Sequence, residues 1–165
     1  MSIRFEKERF IIETENTSYV VLLREATLQG TTEKLKFVCF GYWGEKLLYP
    51  TEVPNDYYVF SGNAGCMEYA AGRQEYPAYG AKYFDSECLK AKFSDGVRDL
   101  RLSYKSYEIA NDGNELKITL CDIHYPVEVD LYYKIFEGLD LIDRHTVIRN
   151  TGTEPITLET VYSAS

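Results

Sequence analysis

Apolar residues recur at every second position along much of this 165-residue chain, whereas stretches with the three- and four-residue spacing of a helix are scarce. In residues 115–121, Leu116, Ile118 and Leu120 share one face while Lys117 and Thr119 take the other. Val127, Val129 and Leu131 then alternate with Glu128 and Asp130. Successive side chains of a strand point to opposite faces, so this period selects strands with one dry and one solvated face. The same reading predicts strands at residues 3–5, 10–14, 19–23, 35–42, 89–93 and 100–109, with two further runs on either side of Asn150, Thr151 and Gly152.

Residues that tolerate positive φ punctuate these runs: Gln29-Gly30, Asp95-Gly96, Asn111 to Asn114, and Asn150 to Gly152. The turn at Asn111 to Asn114 predicts a hairpin between its flanking strands. About ten strands with short connections define an all-β, antiparallel sandwich as the expected fold, in one domain over residues 1–165. The 15 tyrosines and eight phenylalanines support this, because planar side chains pack well on a pleated surface. One stretch breaks the rhythm. Residues 49–84 hold Pro50, Pro54 and Pro77 with Tyr57, Tyr58, Tyr69, Tyr76, Tyr79 and Tyr83, and a short helix between Gly65 and Ala71 is a local expectation. An irregular segment of that length is functional or covers a surface.

A formal charge of −8 without any basic block repels a polyphosphate, which excludes nucleic acid as the expected partner. No segment approaches a membrane span and the first residues lack a secretory apolar core, so the expected compartment is the cytoplasm. Cys39, Cys66, Cys88 and Cys121 are too widely spaced for a zinc clamp and are expected to be buried, reduced thiols. No metal ligand set and no cofactor motif is evident.

Several segments at fixed spacing carry a family likeness. They are Leu131-Tyr-Tyr-Lys-Ile-Phe136 with Glu137, Leu139, Asp140, Ile142 and Arg144, then Arg149-Asn150, Gly152, Glu154-Pro155, Leu158-Glu159 and Ser163-Ala-Ser165. Upstream, Tyr42-Trp43-Gly44 with Lys46, Glu75-Tyr-Pro-Ala-Tyr-Gly80, Ser94-Asp-Gly96 and Asp99-Leu-Arg101 fall in the same order. This pattern resembles the N-terminal domain of glycoside hydrolase family 36, the bacterial α-galactosidases. The resemblance implies a supersandwich of the galactose-mutarotase type, followed by a catalytic (β/α)8 barrel and a C-terminal β-domain. It also implies that both catalytic aspartates lie in the barrel beyond Ser165, so this chain is expected to be a C-terminally truncated, inactive fragment. The implied partners are the protein's own barrel, further copies in a homo-oligomer, and α-galactoside oligosaccharides such as melibiose and raffinose through the whole enzyme.

The residues themselves support the absence of catalysis. A retaining glycosidase needs two carboxyl groups roughly 5 to 5.5 Å apart. Asp140 and Asp143 are placed on one strand but on opposite faces, and Glu128 and Asp130 on an outward, solvated face. His124, in a turn, and His145, in a strand, have no nucleophile constellation beside them and read as structural.

Trp43 is the candidate sugar platform, since sugar C–H faces stack on electron-rich rings; its other reading is a core or interface residue. With Tyr76, Tyr79 and Tyr83 from the irregular stretch it makes up the candidate substrate-binding set. In the family the Glu-Tyr-Pro-x-x-Gly stretch precedes an Asp-Phe-Arg triplet, and here Tyr83, Phe84 and Asp85 stand in its place, so the triplet's contacts do not carry over. Three roles stay open: a non-catalytic domain of an α-galactosidase, lending scaffold, oligomer contacts and the rim of a neighbouring active site; a free-standing carbohydrate-binding module; and a structural interface domain.

Overall fold

The structure is a computed structural model describing residues 1–27, 32–55, 73–80 and 86–164. Among these residues the strands are β1 (Ser2–Glu6), β2 (Arg9–Glu13), β3 (Thr17–Thr27), β4 (Lys34–Glu45), β5 (Leu89–Lys92), β6 (Leu102–Ala110), β7 (Glu115–Asp122), β8 (Val127–Ile135), β9 (Ile142–Asn150) and β10 (Thr157–Val161). They form a four-stranded sheet in the order β1-β2-β3-β4, a second in the order β6-β7-β8-β9, and a β5–β10 pair, with every named pairing antiparallel. No helix among the described residues is long and apolar enough to cross a membrane.

The two larger sheets face one another across a common core. Phe10, Ile12, Val21 and Leu23 come from one side, Leu116, Ile118, Val129 and Leu131 from the other, and Leu89 and Ala91 of β5 close one end. Each fully buried aliphatic or aromatic side chain of this kind stabilises the fold by about 1.5–3 kcal/mol. The antiparallel sandwich expected from the period-two pattern is therefore the observed fold.

Local chemistry sets the corners. The β6–β7 hairpin closes with Ala110 opposite Glu115, and Asn111, Asp112 and Gly113 take φ of 52°, 55° and 85°. Asn, Asp and Gly are the residues that enter this left-handed region at least cost. Between β3 and β4, Val20 pairs Tyr42 and Val21 pairs Phe40, which leaves Gly41 as the extra residue of a bulge. A Cβ on Gly41 would sit 2.7 Å from the Val20 carbonyl oxygen and 2.8 Å from Leu22 Cγ.

The structure corrects several expectations. Residues 18–23 of β3 are buried on both faces rather than one. Val20 and Leu22 turn away from the sandwich to join Phe37 and Cys39 in a second cluster, packed against by Leu47 and by Val53 of the irregular stretch. Arg9 holds this cover in place by donating to the Val53 carbonyl at 2.9 and 2.7 Å. That part of the stretch does cover a surface. Asp130 is not solvated but 1% exposed, because Thr119 Oγ1 donates to it at 2.7 Å from β7 and Arg149 closes on it from β9. Asp140 lies before β9 rather than on a strand.

The segment at Asn150–Gly152 also differs from expectation. None of its three residues takes positive φ, and β10 pairs with β5 while β9 pairs with β8. The Asn150 side chain shapes the bend instead, accepting from Gly152 N–H at 3.0 Å and donating to the Glu154 carbonyl at 2.7 Å. Of the cysteines, Cys39 and Cys88 are buried thiols and Cys121 is only half-buried. Cys66, the Gln29-Gly30 turn and the helix expected between Gly65 and Ala71 lie outside the described residues.

Candidate functional site

Arg73 to Gly80 runs along the sandwich without joining a named strand. The Phe40 N–H donates to the Arg73 carbonyl at 2.9 Å, Glu75 N–H to the Val38 carbonyl at 3.0 Å, and Tyr79 N–H to the Leu89 carbonyl at 2.8 Å. This tether aims the Glu75 side chain into the interior, where it is 1% exposed. Tyr19 of β3 and Tyr133 of β8 both donate their hydroxyls to Glu75 Oε1, the second at 2.8 Å. Arg144 of β9 sits 2.9 Å from the same oxygen and donates to the Glu75 carbonyl at 2.8 Å and to Tyr19 Oη at 3.2 Å.

Burial pushes the Glu75 carboxyl above the usual glutamate range, opposed by the Arg144 charge and the two tyrosine hydroxyls. The same burial, with Glu75 beside them, drives the Tyr19 and Tyr133 hydroxyls well up. Burial works against the Arg144 charge, yet Tyr133, Glu75 and Tyr19 more than offset it and the guanidinium is held more firmly protonated. Arg144 Nε is buried with no hydrogen-bond partner.

Next to this cluster lies a cavity of about 320 Å³, lined by Thr17, Tyr19, Trp43, Tyr133, Asp140, Leu141, Ile142, Arg144 and Ala164. Trp43 stands opposite Tyr19 in the β3–β4 register and is 69% exposed. Asp140 is steadied at the rim by Thr14 Oγ1, by Thr17 Oγ1 at 3.1 Å and by Asn16 N–H at 3.4 Å. The Thr14 bond, with the others, holds its carboxyl below the usual range.

Of the three candidate binding residues that lie among the described ones, the cavity takes in one. Trp43 lines it. Tyr76 is a core residue, 1% exposed, so its ring presents no open face. Tyr79 is 42% exposed but has the Lys90 ammonium over its ring at 4.6 Å, beside β5, and lines no part of this cavity. Tyr83, with Phe84 and Asp85, lies outside the described residues. Glu75 and Arg144 were visible in the sequence as motif positions, but nothing there pointed to their meeting.

Glu75 is sealed by three partners. His145 stacks on Tyr132 with centroids 4.7 Å apart, outside the cavity lining. Among the described residues no group of three or more His, Cys, Asp or Glu side chains could hold a metal ion.

The fold and its interior Glu–Arg clamp thus define a β-sandwich domain with an aromatic-edged cavity. Residues 36–165 match the glycosyl hydrolase family 36 N-terminal domain, and the chain belongs to that family. It is 32% identical over 190 aligned residues to the bifunctional alpha-galactosidase/sucrose kinase AgaSK of Mediterraneibacter gnavus, covering 96% of this chain and 18% of that protein. A probable alpha-galactosidase C of Aspergillus flavus is 28% identical over 109 residues, covering 56% of this chain and 14% of its own length. The solved galactosidase domain of AgaSK superposes with a TM-score of 0.75 at 28% identity, over 99% of this chain and 25% of that one. The α-galactosidase AgaB of Geobacillus stearothermophilus, at 22% identity, shares the fold with the same TM-score of 0.75, over 99% of this chain and 24% of its own. The chain therefore spans a quarter or less of the length of these relatives.

Proposed function

We propose that this chain serves as a non-catalytic N-terminal domain of a cytoplasmic, oligomeric α-galactosidase that removes terminal α-galactose with retention, the chemistry being carried by a (β/α)8 barrel elsewhere in the polypeptide. The observation that carries this reading is the 32% identity to an alpha-galactosidase across 96% of the chain. Its contribution is scaffold, contacts between subunits, and the rim of a neighbouring active site. Exposed Trp43, Leu139, Leu141 and Tyr162 supply apolar surface for such contacts. Deleting residues 1–165 from the natural polypeptide that contains them tests the role: loss of the discrete oligomer, with loss of activity on para-nitrophenyl α-galactoside, is expected. An unchanged oligomer and unchanged activity would refute it.

A carbohydrate-binding module is the second reading, favoured by the single observation that Trp43 is both exposed and at the edge of a cavity.

A further inference from the structure

We propose that the free edge of β9 is a self-complementary docking strand, on which a second copy of this chain pairs antiparallel about a twofold axis to join two four-stranded sheets into one of eight strands. This deepens the contacts between subunits proposed above and rests on that reading only for the setting in which the dimer serves.

The edge is open and built to pair. β9 closes the order β6-β7-β8-β9, and Thr151 N–H donates to the Pro126 carbonyl at 2.8 Å, one step beyond the Val127–Asn150 pair. Hydrogen-bonded and open pairs alternate in an antiparallel ladder, so Asp143, His145, Val147 and Arg149 direct their backbone N–H and C=O to β8. Ile142, Arg144, Thr146, Ile148 and Asn150 turn theirs the other way, where no backbone group among the described residues bonds to them. Natural sheets blunt such edges with short strands, prolines, bulges or a cover. Here β6 and β10 carry bulges, β1 has only five residues, and residues 73–75 cover β4. By contrast, β9 runs nine residues in unbroken register with β8 and holds no proline.

Charge chooses the occupant and the register. With Thr146 opposite its own copy, all nine residues overlap, every outward amide faces another, and Asp143 falls opposite Arg149 of the second copy on both sides of the axis. These two side chains stand on the solvent face, 51% and 44% exposed. On β8, Glu128 flanks Arg149 and Lys134 flanks Asp143. The row across the junction therefore runs Glu128, Arg149, then Asp143 and Lys134 of the second copy, with alternating sign throughout. Opposite charges directly across a strand pair stabilise it, and like charges oppose it. Moving the axis by one residue keeps the amides matched but loses both ion pairs. Arg149 then meets Leu141, with His145 opposite itself, or meets His145.

Sedimentation and amide exchange followed by NMR test this on the 165-residue chain. A monomer–dimer equilibrium is expected. The amides of Ile142, Arg144, Thr146, Ile148 and Asn150 should exchange about tenfold more slowly as the dimer fills, while those of Asp143, His145, Val147 and Arg149 are slow at every concentration. Asp143→Lys places like charges across both junctions and should weaken the dimer about tenfold. Thr146→Pro removes an N–H that β8 does not use, so a folded monomer is expected. Absence of a dimer at high concentration overturns the proposal. So does a dimer whose edge amides exchange as fast as in the monomer, which would mark association through the exposed apolar side chains instead, or a dimer unaffected by Asp143→Lys or by a folded Thr146→Pro. If Thr146→Pro does not fold, the exchange pattern and Asp143→Lys decide alone. A monomeric chain whose natural polypeptide is an oligomeric α-galactosidase removes this contact and leaves the proposed role standing; edge-paired dimers of a chain whose natural polypeptide lacks that activity do the reverse.

Discussion

The Glu75 carboxylate and the Arg144 guanidinium meet at 2.9 Å, tying a segment outside the named strands to β9 across the interior. Removing one member of such a pair strands the other, which costs more than removing both. Arg144→Met is therefore expected to destabilise the chain by about 3 kcal/mol or more, and Glu75→Leu with Arg144→Met to recover most of that loss. Urea unfolding of the two variants decides it; equal midpoints for the single and double variants would show that the pair is not coupled.

The raised Glu75 pKa has a defined sign. Its causes are burial first, against Arg144, Tyr19, Tyr133 and Arg73, which all lower it. The folded state then holds the proton above the ordinary glutamate value of 4.5, so this group's contribution to stability is full below that value and declines as pH rises through the folded pKa. The stability of the wild type relative to Glu75→Gln should fall as pH is raised from acid towards neutral. A rising difference over the same range would reverse the assignment.

Gly41 fills a bulge where a side chain has no room. With the Val20 carbonyl oxygen 2.7 Å from the missing Cβ, Gly41→Ala should cost about 1–3 kcal/mol through displaced backbone in β3 or β4. Thermal unfolding measures it. A midpoint equal to wild type would mean that the bulge relaxes freely.

Exposed apolar side chains gather on β10 and around the start of β9. Leu139, Leu141, Leu158, Val161 and Tyr162 are between 46% and 60% exposed, and the Trp43 ring at 69% stands beside Leu141 in the cavity wall. Surfaces of this kind recruit other chains, so the isolated chain should self-associate in sedimentation as its concentration increases. A strictly monomeric profile at high concentration contradicts this.

The strands and the Asn111 hairpin were legible in the sequence because alternation and turn chemistry are local. Asp130 was misread for the opposite reason: its own alternation placed it in water, but Thr119 and Arg149 on the adjoining strands enclose it. The partner of β10 was equally hidden, since β5 lies far upstream and the intervening Asn150 bend reads like any hairpin turn. Trp43 stood out as a lone tryptophan, and the cavity beside it depends on Asp140 and Arg144 from the other end of the chain. Glu75 and Arg144, 69 residues apart, meet only through the stacking of two sheets, which no spacing along the chain encodes.

Release of nitrophenol from para-nitrophenyl α-D-galactopyranoside tests the functional account most directly, measured side by side for the 165-residue chain and for the natural polypeptide that contains it. The account predicts steady turnover by the natural polypeptide and none by the chain alone. No turnover by the natural polypeptide, or measurable turnover by the chain alone, would contradict it.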